Sequence, residues 1–176
     1  MITKDKVTEI FCIIDEFCKH LHVELAKNLQ LPSHDGKGKL CRNRNGRLSD
    51  SEIMTILLCY HFGTYRNFKE YYLNCIHGQL RQEFPDAVSY NRFVELMPRV
   101  FFHLMAFMKI YAFGRCSGIS FVDSTMIPVC HNVRRYFNKV FAGLARSGKG
   151  TMGWCHGFKL HLLCNDTGEI IPFCLT

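Results

Sequence analysis

The sequence predicts an α+β protein, in which a helical N-terminal region precedes the beginning of a mixed β-sheet. Three observations favour this class. Apolar residues recur at helical spacing through most of the first 113 residues. After Gly114 the pattern changes to β-branched and apolar runs that alternate in part, as strands do. A hydrophobic content of 48% with 13% aromatic residues indicates a chain that forms a packed core.

The helical region begins with regularly spaced apolar residues from Ile10 to Leu25. Ser49, followed three residues later by Glu52, predicts a capping box at the start of the second helix. Pro98 falls inside the last helical pattern, where it is expected to kink the helix or to start a new one. Apolar and aromatic stripes in this region are interpreted as core. Helices are predicted over residues 3–29, 49–62, 66–76 and 89–113.

Three strands are predicted after the helices, over residues 119–129, 157–164 and 169–175. The sequence Asn-Asp-Thr-Gly at 165–168 is typical of a turn between the last two strands. The connection between the first two strands is long and basic, too long for a simple turn. We expect one antiparallel meander, with Asp123 in the central part of the first strand and its side chain facing an open, polar side.

Asp123 is the most informative acidic residue. A largely apolar run, Ile119 to Val122, leads into Asp123, Ser124 and Thr125, and no further acidic residue follows until Asp166. A carboxylate on a strand beside a positive tract suits a metal-dependent enzyme that acts on a phosphate polymer, although such chemistry usually needs several carboxylates. The alternative is an aspartate that hydrogen-bonds a turn after the strand.

The formal net charge of +7 comes mostly from two tracts, residues 37–47 and 124–165. Local positive fields of this kind attract polyanions, and DNA is the predicted partner. The alternative is a solvated loop, above all for the first tract. The predicted DNA-binding residues are Lys37, Lys39, Arg42, Arg44, Arg47, Arg134, Arg135, Lys139, Arg146, Lys149 and Lys159.

The ten cysteines include no Cys-x-x-Cys pair, so they predict free thiols in a reducing cell and give little support for a structural zinc site. Cys12, Cys59 and Cys164 lie among apolar residues and are expected to behave as small hydrophobic side chains. The apolar runs are shorter than the roughly 20 residues that cross a bilayer. A cytoplasmic protein without a membrane segment is therefore expected.

Several segments, in this order, resemble bacterial insertion-sequence transposases of the DDE class. They are Leu-Ser-Asp-Ser-Glu-Ile-Met-Thr-Ile-Leu from 48, Tyr-Arg-Asn-Phe-Lys from 65, Ser-Tyr-Asn-Arg-Phe-Val-Glu-Leu from 89, Ile-Ser-Phe-Val-Asp-Ser-Thr from 119 and Gly-Phe-Lys-Leu-His-Leu from 157. The resemblance implies a helical region over 1–114, which binds DNA ends, and the N-terminal part of an RNase H-like catalytic domain over 115–176. The predicted meander would then be the incomplete start of that domain's mixed sheet.

The resemblance also assigns residues. Such enzymes use an Asp-Asp-Glu triad that holds two Mg²⁺ ions, and Asp123 matches the first aspartate. The settings expected for the second aspartate and the glutamate do not occur before Thr176. Asp166 and Glu169 are assigned to a structural hairpin instead, and the histidines are interpreted as ordinary polar residues: His131, His156 and His161.

The implied function is DNA transposition by two-metal phosphodiester chemistry, with Mg²⁺ in the intact enzyme. The chain is expected to be a truncated, inactive transposase fragment near the nucleoid, with transposon and target DNA, intact transposase or itself as partners. Without the covering elements, Phe121, Leu160, Leu162 and Phe173 are expected to be uncovered. The alternative is a non-catalytic DNA-binding module or a regulator of transposition, and a weaker one is an unrelated helical DNA-binding protein.

Overall fold

A computed structural model describes residues 2–28, 46–150 and 153–176. The chain divides into two compact units, Met1–Phe107 and Met108–Thr176. The first unit is helical and the second contains an antiparallel sheet, so the predicted α+β class is confirmed. Lys37, Lys39, Arg42 and Arg44 lie outside the described residues.

The helices follow the predicted order. They are α1 (Lys4–Asn28), α2 (Asp50–His61), α3 (Phe68–Tyr71), α4 (Tyr90–Leu96) and α5 (Phe101–Phe107). The third predicted helix, over 66–76, is observed as α3 followed by a π-helix over Tyr72–Gln79, so it ends close to the predicted stop at His77 and Gly78. A 3₁₀ turn with Pro98 at its start separates α4 from α5, which agrees with the expected break. None of the described helices is long and apolar enough to cross a membrane.

The start of α2 has the predicted capping box. The backbone N–H of Glu52 donates to Ser49 Oγ at 3.2 Å, and the backbone N–H of Ser49 donates to Glu52 Oε2 at 2.7 Å. Two backbone donors that have no partner inside the helix are satisfied in this way. The position of Asp50, the first residue of α2, is thereby fixed.

The core of the helical unit is strongly aromatic. Tyr71, Tyr72 and Phe93 are fully buried, and the rings of Tyr72 and Phe93 lie 4.7 Å apart. Each buried hydroxyl has a partner, because Tyr71 donates to the carbonyl of Ile56 at 3.1 Å and Tyr72 to that of Val88 at 2.7 Å. These aromatic residues are core, as predicted. Phe101 and Phe102 on α5 are instead exposed.

The described strands of the second unit form one four-stranded sheet: β1 (Ser120–Cys130), β2 (Arg146–Gly150), β3 (Gly153–Asn165) and β4 (Ile170–Leu175). Strand β3 pairs along one edge with β1. Along its other edge it pairs with β2 near its beginning and with β4 near its end. The predicted meander of β1, β3 and β4 is therefore confirmed. Strand β2 is an addition, formed by part of the basic connection.

The two units differ in burial. Among the described residues, the buried hydrophobic side chains all lie in the helical unit, and in the sheet unit only Gly157 and Asn165 are buried. Phe121 is 62% exposed, as expected for an uncovered face. Leu160, Leu162 and Phe173 are half-buried, so the face is partly covered.

The nine described cysteines are free thiols, as predicted. Burial raises the pKa of the Cys59 thiol to about 12, which fits its interpretation as a small hydrophobic side chain. Cys164 is half-buried, whereas Cys12 is exposed on α1 and the expectation for it was wrong. The apolar neighbours of Cys12 in sequence point to other sides of the helix.

Candidate functional site

Asp123 lies inside β1, directly opposite Leu162 of β3, and its side chain is exposed. Its Oδ1 accepts a hydrogen bond from the backbone N–H of Ser124 at 2.7 Å. This bond orients the carboxylate and leaves Oδ2 available to a ligand. Because β1 continues to Cys130, the interpretation of Asp123 as a turn residue after the strand is wrong. Its catalytic role stays a prediction.

The face of the sheet that carries Asp123 is open but mainly apolar. Side chains alternate along a strand, and directly opposed residues share a face. Asp123 therefore shares its face with Phe121, Thr125 and Leu162. The prediction of a polar side was wrong, because the period of two brings apolar neighbours next to the carboxylate along β1 and across from it on β3. We call this surface the Asp123 face.

Lys159 does not lie on the Asp123 face. It is opposite Met126, three positions along β1 from Asp123, so its side chain points to the other side of the sheet. His161, opposite Ser124, belongs to that other side as well. The strand register thus places the Asp123 carboxylate and Lys159, the nearest predicted cation in the sheet, on opposite faces of the sheet.

A cleft of about 910 Å³ lies at one end of the Asp123 face. Ile127, Phe158, Phe141 and Arg134 are among its lining residues, and the rings of Phe141 and Phe158 meet edge to face at 5.3 Å. Ile127 is four residues after Asp123 on β1, which corresponds to about 13 Å along a strand. Among the predicted cations that the structure describes, Arg134 is the one that lines this cleft.

The predicted cations of the sheet unit share one property. Among the described residues, none of them has a carboxylate within ion-pair distance. Arg47 differs, since it lies 3.8 Å from Asp86. Arg135 is half-buried, with its guanidinium 4.6 Å from the centre of the Tyr136 ring. The others are exposed: Arg134, Lys139, Arg146, Lys149 and Lys159.

Exposed aromatic side chains accompany these cations. Tyr136, Phe137 and Trp154 are exposed, and Trp154 is directly opposite Lys149 in the sheet. The Asn132 amide donates to the carbonyl of Trp154, which ties the connection to β3. These aromatic residues were not among the predicted site residues. Their position within a basic segment was the available signal, since cations interleaved with aromatic rings are typical of single-stranded nucleic-acid surfaces.

Asn165 organises the hairpin between β3 and β4. Its side-chain oxygen accepts from the backbone N–H of Glu169 at 2.8 Å, and its amide donates to Glu169 Oε2 at 2.7 Å. Asp166 accepts a hydrogen bond from the hydroxyl of Ser117. The side chain that bonds the turn backbone is thus Asn165, within the predicted turn at 165–168. Both acidic residues of the hairpin already have hydrogen-bond donors.

The carboxylate of Asp123 can supply one oxygen ligand to a hard divalent ion. Among the described residues, the one group of three potential ligands from histidine, cysteine or acidic residues lies in the helical unit and does not contain Asp123. His156 is 3.0 Å from the hydroxyl of Ser147. The described residues therefore supply one ligand of a metal site at Asp123, and they do not complete one.

Comparison with known proteins gives one match. Residues 113–176 match a protein family described as Transposase DDE domain. No curated protein and no solved structure matches the chain significantly. The matched segment includes all the described strands of the sheet. One of them is β1, which carries Asp123. The match supports a DDE transposase and a role in transposition.

Proposed function

We propose that the chain acts in DNA transposition as part of an insertion-sequence transposase. Residues 115–176 form the first part of its RNase H-like catalytic domain, and residues 1–114 bind the ends of the element. The observation that carries the proposal is the coincidence of the family match over 113–176 with an exposed aspartate in the middle of β1.

Asp123 is proposed as the first carboxylate of an Asp-Asp-Glu triad, with Mg²⁺ as the ion. A completed site of this kind would hold two ions, which would supply activation of the attacking oxygen and charge stabilisation at the leaving oxygen of a phosphodiester. The contribution of this chain is a carboxylate fixed on a strand, with Oδ1 held by the N–H of Ser124 and Oδ2 open to solvent. The described residues do not supply the remaining ligands.

DNA is proposed to lie along the cations and aromatic residues of the segment from Arg134 to Lys159. Exposed cations without carboxylate partners can neutralise phosphates, because no internal ion pair has to be broken first. Exposed rings such as Tyr136 and Trp154 offer stacking surfaces to unpaired bases. Arg134 in the cleft connects this surface to the Asp123 face.

DNA affinity is expected to fall steeply with salt. If the six cations from Arg134 to Lys159 each neutralise one phosphate, the logarithm of the binding constant should fall with that of the salt concentration with a slope of about −5. The double substitution Arg134→Ala and Arg135→Ala should reduce the slope by up to about 2 units. Fluorescence anisotropy on a labelled duplex across a salt series measures both slopes.

The matched control for this experiment is Lys6→Ala with Lys27→Ala. It removes the same formal charge from cations that are paired with glutamates on α1. On a duplex that lacks the ends of the element, the control should retain the slope of the unmodified chain. Equal slopes for all three proteins would show that the sheet cations do not contact phosphates, and would leave the basic connection as a solvated loop.

Strand cleavage by this polypeptide alone is expected to be absent. Two-metal chemistry needs several carboxylates around the ions, and the described residues place Asp123 in no group of three potential ligands. Supercoiled plasmid incubated with the chain and Mg²⁺ or Mn²⁺ should remain intact. Nicking that is lost in Asp123→Asn would show that the polypeptide does contain a complete site.

A second candidate is a DNA-binding regulator of transposition without catalysis. It is supported by the six cations of the sheet unit, which have no carboxylate partner among the described residues, and by Asp123, which in the same part of the chain belongs to no group of three potential metal ligands. DNA binding with a steep salt slope and no Asp123-dependent nicking would agree with this function. Addition of the chain to an active transposase reaction then tests it directly, because a regulator should lower the yield of joined product.

A further inference from the structure

A second set of ligand side chains converges in the helical unit, between three helices that lie far apart in sequence. His22 lies on α1, Asp50 begins α2, and His103 lies on α5. Their potential ligand atoms all lie within 4.8 Å of one another. The Nε2 atoms of the two histidines are 3.2 Å apart, and Asp50 Oδ2 is 3.9 Å and 4.0 Å from them.

We propose that His22, Asp50 and His103 bind a divalent transition-metal ion, and that Zn²⁺ is the best match. Two imidazole nitrogens and one carboxylate oxygen are a known type of zinc ligand set, with a fourth position open to water. Tetrahedral zinc with bonds of about 2.0–2.1 Å places two ligand nitrogens about 3.3 Å apart. The observed 3.2 Å between the Nε2 atoms is close to this separation.

Asp50 must come slightly closer to the imidazoles, and the structure allows this approach. The side chain of His22 is 56% exposed, so of the three ligands it has the most room to move toward the carboxylate. Side chains of Asp50 and His103 are mostly buried, at 20% and 13% exposure. One exposed ligand and two mostly buried ones thus surround the proposed metal position.

Arg99 fixes the carboxylate from behind. Its Nε donates to Asp50 Oδ1 at 2.6 Å, and its Nη2 donates to the carbonyl of Leu48 at 2.8 Å. Oδ2 is left to face the two histidines, which is how a hydrogen-bonded outer partner orients a metal-ligating carboxylate. Because Arg99 also offsets the charge of Asp50, affinity must come from the imidazoles. That requirement favours Zn²⁺ over Mg²⁺, which prefers oxygen ligands.

His103 can offer an ion its Nε2. Its Nδ1 is buried and has no hydrogen-bond partner among the described residues, whereas Nε2 faces His22 and Asp50. An ion on Nε2 leaves the proton of the neutral imidazole on Nδ1, so it does not satisfy that buried nitrogen. The ion would connect α1, α2 and α5, and so stabilise the folded helical unit through binding.

The test uses the full chain, freed of metal with a chelator and dialysed against Zn²⁺. Three proteins are compared: the unmodified chain, His22→Ala, and His20→Ala as the matched control. Both substituted residues are exposed on α1, so neither change should prevent folding. Metal content per chain and the melting temperature with and without Zn²⁺ are measured.

The unmodified chain and His20→Ala should each bind one more Zn²⁺ per chain than His22→Ala. Loss of a ligand should cost more affinity than loss of a ligand's outer hydrogen-bond partner, which costs about 10–100-fold. Zinc should raise the melting temperature of the first two and not of His22→Ala. The difference excludes zinc held by the chain's thiols. Equal zinc content and equal thermal shifts in all three would overturn the site, as would full zinc retention in Asp50→Asn.

Discussion

Gly157→Ala is expected to separate β1 from β3 and to displace Asp123. A Cβ added at Gly157 would overlap the carbonyl oxygen of Ile127 and would lie 2.9 Å from the backbone nitrogen of Val129. Both atoms belong to the backbone of β1, which cannot rotate away as a side chain could. Overpacking of this kind costs about 1–3 kcal/mol and occasionally more.

A loss of stability in Gly157→Ala would be informative, because this type of substitution usually stabilises a strand. In a strand, alanine in place of glycine normally stabilises by about 0.5–1 kcal/mol. The control is Gly148→Ala on β2, where the nearest atom to the new methyl group would be the Met126 Cε at 3.8 Å, an ordinary contact. Hydrogen exchange should accelerate across β1 in Gly157→Ala and stay unchanged in Gly148→Ala. Unchanged protection of β1 in both would show that β1 is not held where the structure places it.

The local signals in the sequence predicted most of the fold. The capping box is formed between Ser49 and Glu52, so four consecutive residues of sequence were enough to predict it. The strands β1, β3 and β4 carry apolar residues that alternate in part, and the pairing of β3 with β4 followed from the turn at 165–168. Strand β2 could not be found, because Arg-Ser-Gly-Lys-Gly has no apolar residue. Strand β2 pairs with the backbone of β3, and the pattern of apolar side chains carries no information about backbone pairing.

The candidate site was predicted less completely than the fold. Asp123 was identified from its place after an apolar run, but the polarity of its face depends on Leu162 across the sheet. The cleft at Arg134 depends on how the connection packs against β3. The cluster of His22, Asp50 and His103 joins three helices, and no spacing in the sequence connects its members. Each of these features is set by tertiary contacts, which single-sequence patterns do not contain.

Phe93→Ala is expected to destabilise the helical unit more than any exposed substitution in it. The ring is fully buried and packs 4.7 Å from Tyr72 and 5.7 Å from Phe68, measured between ring centres. Truncation removes the transfer free energy of the ring and leaves a cavity, which together cost about 3–5 kcal/mol. Urea unfolding followed by far-ultraviolet circular dichroism measures the loss, because the helices of this unit dominate that signal.

Phe102→Ala on α5 is the matched control, since the same side chain is 58% exposed there. An exposed substitution away from special features should change stability by less than about 0.5 kcal/mol. The comparison also bears on the proposed DNA binding by residues 1–114, because a surface built on this aromatic core cannot persist if the core is lost. Phe93→Ala should therefore weaken any DNA contact of the helical unit while Phe102→Ala retains its fold. Equal stability of the two variants would contradict the packing of α4 against the Phe68 and Tyr72 rings.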